Sequence, residues 1–332
     1  MRLITFESAG QQRLGAWIER DTRIVDLHRA AALLDPAGGP DAALGSMQAL
    51  MESGEAGLDR ARQAVARAPE EAVLATDDVR ILAPVPRPIQ MRDSLAFELH
   101  LRQAKRANAA MRLRHAPDAQ EQLAALERSG GFEPAPIWFK QPVYYKCNRF
   151  NVVGTGHDIE WPAYSEVLDY ELELGIFLGR GGKDIPAGRA RSHIFGYTVY
   201  NDVSARDAQA DEMPGMLGPA KGKDFDTGNV LGPCIVTADE IADPYALTMT
   251  ARINGELWSQ GSSATMYHRF EDIIAHVSAS ETLLAGEFIG SGTVGNGCGF
   301  ELGRYPQAGD VMELAIEGIG TLRNRIVRPA RA

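Results

Sequence analysis

Glu171 and Glu173, with Asp169 before them, occupy alternate positions in Leu168-Asp169-Tyr170-Glu171-Leu172-Glu173-Leu174. Alternation of period two is the signature of a strand with unlike faces. Leu168, Tyr170, Leu172 and Leu174 point one way and the three acids the other. Same-face side chains recur roughly every 6.5–7 Å along a strand, so Glu171 and Glu173 present two carboxylates to one place. Two readings fit that face: a solvated surface neutralised by lysines, or a divalent cation, which takes several oxygen ligands. Asp202 adds a third carboxylate. It ends the apolar run Ile194–Asn201, which reads as a buried strand, and it precedes a helical turn that it could cap. On such a turn Asp202 and Arg206 would share a face at i,i+4, with Gln209 three further on. Carboxylates from a strand and from a strand end suit Mg²⁺, Mn²⁺ or Ca²⁺. They suit zinc poorly, because no His or Cys lies among them.

The frame that must position these groups is read from the chain as a whole. A length of 332 residues allows one large or two modest domains. With 44 acidic and 34 basic side chains the net charge is −10, which argues against nucleic-acid or anionic-membrane partners. No apolar run reaches membrane-spanning length, and the first residues turn polar too soon for a signal peptide. Cys147, Cys234 and Cys298 are odd in number and form no CxxC, so free thiols in a reducing cytoplasm are expected.

Residues 1–27 read as a β-meander with strands at Arg2–Phe6, Arg13–Glu19 and Arg23–Val25. Helices are expected over His28–Leu34, Asp41–Ser53 and Leu58–Ala68, punctuated by Gly38-Gly39-Pro40. Val79–Leu82 reads as a strand, and the prolines of 84–88 mark the entry to the main domain. Helices follow over Phe97–Arg114 and Ala119–Arg128, the second ended by Gly130-Gly131. His100, among Glu98, Arg102 and Lys105, could be a surface histidine on the first. Pro136–Lys140 and Pro142–Lys146 read as aromatic-rich strands. Asn254-Gly255 is the strongest hairpin signal, Phe270–Ser278 reads as a helix, and 309–328 as β structure. The glycines of 290–299 imply tight turns or close backbone approach to a ligand. Lys221-Gly222-Lys223 is no phosphate loop, since Leu217 and Asp224 stand at the wrong places. His157, Asp158 and Glu160 fall in a turn-rich region and read as solvated.

The acidic strand, together with Asn201-Asp202-Val203-Ser204-Ala205-Arg206-Asp207, resembles the metal-binding core of the fumarylacetoacetate hydrolase family. The likeness continues through Lys221–Thr227, Leu231-Gly232-Pro233, Gly292-Thr293, Gly309-Asp310-Val311 and Glu317–Asn324, and so covers roughly residues 84–328. It implies a strand-rich α+β fold, a mixed β-sandwich roll. A catalytic domain over 84–332 would follow a smaller N-terminal α+β domain over 1–83, and the helical segment of about 94–132 would be an inserted lid. It implies that Asp93, Glu171, Glu173 and Asp202 hold Mg²⁺, Mn²⁺ or Ca²⁺, that His100 is the general base and that Glu301 orients it. Lys223 would stabilise a departing carbanion, and Arg206, Gln209, Tyr145 and Thr293 would contact substrate. The implied activity is hydrolysis of a carbon–carbon bond in a small 1,3-dicarbonyl compound such as an acylpyruvate, by a homodimer. Decarboxylation or keto–enol isomerisation of a β-keto acid such as oxaloacetate, or of an aromatic-catabolism intermediate, is the alternative, because it uses the same metal and the same enolate. Leu95 stands where the animal enzyme has a substrate-contacting tyrosine, which points away from fumarylacetoacetate itself.

Overall fold

The computed structural model describes residues 1–38 and 41–329, so Gly39 and Pro40 of the expected helix break lie outside the described residues. The chain opens on the meander the sequence predicts: β1 (Arg2–Ser8), β2 (Gln11–Ile18) and β3 (Arg23–Asp26). Asp26 caps α1 (Leu27–Leu34), accepting from the Arg29 N–H at 3.0 Å. The helices expected over 41–53 and 58–68 are one element, α2 (Met47–Ala66), with Gly54 at φ 61° between its halves. Then come β4 (Val73–Ala75), β5 (Arg80–Ile81), β6 (Met91–Ser94), α3 (Glu98–Leu113) and α4 (Ala119–Arg128). Residues 136–140, expected as a strand, form helix α5 (Pro136–Lys140) instead. Pro136 stands in its first turn, where a fixed φ and a missing N–H suit a helix. Trp138 turns inward and donates its indole N–H to Leu95 O at 2.6 Å.

The middle of the chain holds β7 (Tyr144–Lys146), β8 (Val152–Val153), β9 (Ile159–Glu160), β10 (Leu168–Asp169), β11 (Leu172–Leu178), α6 (Ala187–Ala190) and β12 (Ile194–Asp202). After them come β13 (Ser204–Ala205), α7 (Arg206–Glu212) and β14 (Asn229–Thr237). β15 (Thr248–Ile253) and β16 (Glu256–Ser262) flank Asn254-Gly255, whose φ values of 51° and 82° are those of a two-residue hairpin turn. α8 (Phe270–Ser278), β17 (Phe288–Gly290), α9 (Gly299–Leu302), β18 (Val311–Ile316) and β19 (Gly320–Val327) complete the fold.

This is a strand-rich α+β architecture with an open main sheet of path β4-β3-β2-β1-β14-β12-β11-β17-β6-β7. The N-terminal meander continues that sheet, because Arg2 and Leu3 pair with Val236 and Ile235. A second sheet runs β16-β15-β18-β19-β9. Its Met249, Leu314 and Leu322 share one core with Leu172, Leu174 and Ile176 of β11. Phe177 points the opposite way, into a core filled by Leu27 of α1 and Leu50 and Ala61 of α2. β11 is thus covered on both sides, and Glu173 lies on the Phe177 side. No described helix is long and apolar enough to cross a membrane.

The acidic strand is not continuous. β10 pairs with β13, β11 pairs with β12, and Tyr170 and Glu171 lie between them. Side chains take over the local bonding there. Asp169 accepts from the Tyr170 N–H at 2.9 Å, and Asn201 Oδ1 accepts from the Glu171 N–H at 3.0 Å. Asp202 is not a helix cap either. It is the last residue of β12, and α7 starts at Arg206 with Ala205 as an N-cap that makes no side-chain bond.

Candidate functional site

Three strands bring three carboxylates to one point. Asp93 comes from β6, Glu173 from β11 and Asp202 from the end of β12; each offers an oxygen within 4.8 Å of the others. The register makes this possible, since Gly290 of β17 pairs with both Asp93 and Gly175. A Cβ on Gly290 would stand 2.4 Å from Asp93 Oδ1 and 3.1 Å from Glu173 Oε2. The position therefore has to be glycine for the two carboxylates to converge. Just beyond, Gly292 at φ 79° turns its N–H onto Asp93 Oδ1 at 3.1 Å and Glu173 Oε2 at 3.0 Å. Thr293 donates its hydroxyl to Glu173 Oε1 at 3.3 Å. Tyr145 of β7 donates its hydroxyl to Asp202 Oδ2 at 2.7 Å.

Glu171 stands beside this trio with both oxygens engaged. Lys223 Nζ lies 2.7 Å from Oε2 and Arg206 2.8 Å from Oε1. Lys223 also approaches Asp202 Oδ2 at 2.8 Å and donates to Ser204 Oγ at 2.7 Å. Arg206 is fixed from behind by Asp169, whose Oδ2 lies 2.8 Å from its Nε, and it donates to Gln209 Oε1 at 3.0 Å. Asp169 in turn accepts the N–H groups of Gly299 and Phe300 at 2.8 and 3.0 Å. The third acid of the alternating stretch is therefore a buried anchor for Arg206 and for the start of α9. The alternation gave its face, and only the tertiary contacts give its partners.

His100 is not a surface residue. It is 5% exposed, and its Nδ1 lies 2.9 Å from Glu301 Oε1. Glu301 of α9 is held in turn by the Cys298 N–H at 3.1 Å from Oε2. Cys298, His100 and Glu301 also cluster within 4.8 Å. Burial pushes the Cys298 thiol well up, so it stands there as a neutral group. By contrast, Asp158 pairs with Arg325 at 3.0 Å near the surface, away from these groups.

The electrostatics follow from burial and crowding. Burial, then Asp202, pushes the Asp93 carboxyl up to about 7. Glu173 is driven well up by burial and then by Asp93. Asp202 is also raised by burial, against the pull of Lys223. For Glu171 burial alone would raise the pKa, but Lys223, Arg206 and His100 outweigh it and hold the group down to about 2. His100 is desolvated, which would lower it, yet the charge and hydrogen bond of Glu301 raise it above the ordinary histidine value. Asp93, Asp169, Glu171, Glu173 and Asp202 are thus crowded together, with Lys223 and Arg206 as the permanent cations beside them. The donor set is all oxygen, and Gly290 leaves it room to converge, so the trio fits a hard divalent cation.

His100, Glu171, Asp202, Arg206, Lys223 and Thr293 all line one cavity of about 1170 Å³, roofed by α3 and α4. Residues 93–327 match the family model described as fumarylacetoacetate (FAA) hydrolase C-terminal. The chain belongs to the fumarylacetoacetate hydrolase family. Oxaloacetate tautomerase FAHD2A, mitochondrial, from Homo sapiens is 32% identical over 285 residues, covering 85% of this chain and 80% of that one. The structure of a fumarylacetoacetate hydrolase from Exiguobacterium antarcticum superposes with a TM-score of 0.72 at 29% identity, covering 99% of this chain and all of the other. Maleylpyruvate hydrolase from Sphingobium sp. SYK-6, solved with manganese(II) and pyruvate, shares the fold with a TM-score of 0.70 at 21% identity, covering 99% of this chain and 100% of that one.

Proposed function

We propose that this family member is a divalent-cation-dependent keto–enol tautomerase of an enolisable 2-oxo acid of the oxaloacetate class. The observation that carries the reading is that one imidazole, His100 on its Glu301 support, lines the same cavity as the cluster of carboxylates. That pairs a group able to move a proton with a place to hold the acid it is moved on. The human relative named an oxaloacetate tautomerase supports the choice of reaction.

Asp93, Glu173 and Asp202 would hold the cation, with Glu171 adjoining. Bound there, a Mg²⁺ or Mn²⁺ ion supplies Lewis-acid polarisation of the 2-oxo group. Arg206, oriented by Asp169 and bonded to Gln209, receives the carboxylate of the substrate. With Nδ1 committed to Glu301, His100 presents Nε2 to the bound acid. Nε2 takes a proton from carbon 3 of the keto form, and the electron pair moves to the carbonyl oxygen as the enolate forms. Return of the proton to oxygen gives the enol, so nothing is consumed and one proton changes place. Lys223 and Arg206 favour the enolate by their charge. The catalytic unit runs from residue 84, with 94–132 as its lid.

Hydrolysis of a 1,3-dicarbonyl is the second reading, favoured by the same His100–Glu301 pair, which could equally take a proton from water, and by the Exiguobacterium hydrolase structure. The two separate in one experiment. Purified protein with Mn²⁺ is given enol-oxaloacetate and, separately, a panel of acylpyruvates, and products are identified. The tautomerase reading expects faster loss of the enol's ultraviolet absorbance without pyruvate release. Rapid cleavage of an acylpyruvate with no effect on the enol would replace it with the hydrolase, and pyruvate from oxaloacetate would indicate a decarboxylase.

A further inference from the structure

The cavity is much larger than an oxaloacetate-sized substrate requires. Its volume of about 1170 Å³ compares with roughly 300–1,000 Å³ for pockets that enclose drug-sized ligands. His100, the carboxylates, Arg206 and Lys223 stand together at one end, and Lys105 and Arg112 of α3 are the other charged groups that line it. From that end it runs beneath the lid. Leu101, Ala104, Asn108 and Arg112 line it from α3 at three- and four-residue intervals, so they form one helical face. Ala125 and Leu126 line it from α4. At 1.5 Å per residue, Arg112 lies about 18 Å along α3 from His100. Leu113 and Phe132 add apolar surface beside them. Met213 lines the cavity from just after α7. Hydrocarbon lining is costly to leave against water.

We infer that the site takes 2-oxo acids bearing a long apolar substituent, alkyl or aryl-alkyl, which lies along α3 beneath the lid while the 2-oxo acid head meets the carboxylate cluster. The inference rests on the 2-oxo-acid reading above and names the substrate class within it. The short acid of the human relative's name fills only the polar end.

The test is calorimetric titration of the full chain, saturated with Mn²⁺, using oxamate, N-butyl-oxamate and N-octyl-oxamate. Oxamate keeps the adjacent carboxylate and carbonyl but has no carbon to enolise. A fully buried methylene is worth at most about fourfold in affinity, so N-octyl-oxamate is expected to bind at least tenfold more tightly than oxamate. Ala104→Trp, which fills the tail region, should abolish that gain and leave oxamate within about twofold. Leu126→Asp on α4 gives the same readout if the first variant does not fold. Oxamate binding with no gain along the series overturns the tail inference and leaves the proposed reaction standing. A gain that survives both substitutions also overturns it, since the tail then lies elsewhere. No binding of oxamate with Mn²⁺ present overturns the 2-oxo-acid head on which both rest.

Discussion

His100 Nδ1 lies 2.9 Å from Glu301 Oε1, across 201 residues of chain, and both side chains are shielded from solvent. The pair fixes which ring nitrogen faces the cavity. It also sets when that nitrogen is basic, because Glu301 more than offsets the desolvation of the imidazole and raises its pKa.

A base works only when deprotonated. With its pKa raised, His100 keeps its proton to a higher pH than an ordinary histidine. The rate of proton abstraction from the keto acid should therefore climb with pH through a limb lying above about 6.5. Glu301→Gln leaves an acceptor for Nδ1 but removes the charge. The limb should move down in pH, with a loss in kcat of no more than about tenfold, against the 10²–10⁴-fold typical of removing a general base. A pH profile of kcat at saturating Mn²⁺ for both proteins reads this directly, and a limb that stays in place would separate Glu301 from the titration.

Cation binding should release protons. The Asp93 carboxyl sits at about 7 and Glu173 is also raised, so below that pH the site holds a proton that the cation must displace. Mn²⁺ affinity should weaken as pH falls below 7, by about tenfold per pH unit for each proton displaced. Titration at pH 6 in two buffers of different ionisation heat should report about one proton or more released, and fewer at pH 9. Glu173→Gln should weaken Mn²⁺ binding at least tenfold.

Asp169 carries four contacts with no exposed surface: Arg206, Gly299, Phe300 and its own neighbour Tyr170. Asp169→Ala takes from Arg206 one of its two buried carboxylate partners and leaves two amides without their acceptor, and breaking a buried ion pair from one side costs about 3–5 kcal/mol. Asp169→Asn keeps an acceptor and should cost less. Urea unfolding of the metal-free protein would show the order, and an alanine variant as stable as the parent would contradict the anchoring role.

Much of this was legible in the sequence. Period-two alternation found β11 and the face that Glu173 occupies, Asn254-Gly255 found its hairpin, and the helices of 97–114, 119–128 and 270–278 stand within a residue of where periodicity puts them. What failed had local causes. Pro136–Lys140 is rich in aromatic residues, yet a proline in the first turn decides for helix. The break at Tyr170-Glu171 depends on an Asn201 side chain that supplies a ladder bond from another strand. No spacing rule reveals that. The convergence of Asp93 with Glu173 rests on Gly290, which sits in a glycine-rich stretch where the need for close approach was readable but the partner was not. The burial of His100 was hidden because Glu98, Arg102 and Lys105 surround it in sequence.

The lid should respond to ligand. In α3 and α4, which cover the cavity, only His100 and Leu123 are buried, whereas every residue of β11 is. Hydrogen exchange should be faster across 98–128 than across 172–178, and it should slow on adding Mn²⁺ with oxamate. Equal exchange in the lid with and without ligand would rule out a gating role.

His100 is proposed to move the proton, and Asp93, Glu173 and Asp202 would hold the cation. The most direct measurement is the rate of enol-oxaloacetate conversion by wild type and by His100→Ala, each with Mn²⁺ and its affinity for Mn²⁺ determined in parallel. The expected result is a fall in kcat of about 10²–10⁴-fold with metal affinity nearly unchanged. Full activity in His100→Ala, or a wild type no faster than buffer with Mn²⁺ alone, would contradict it.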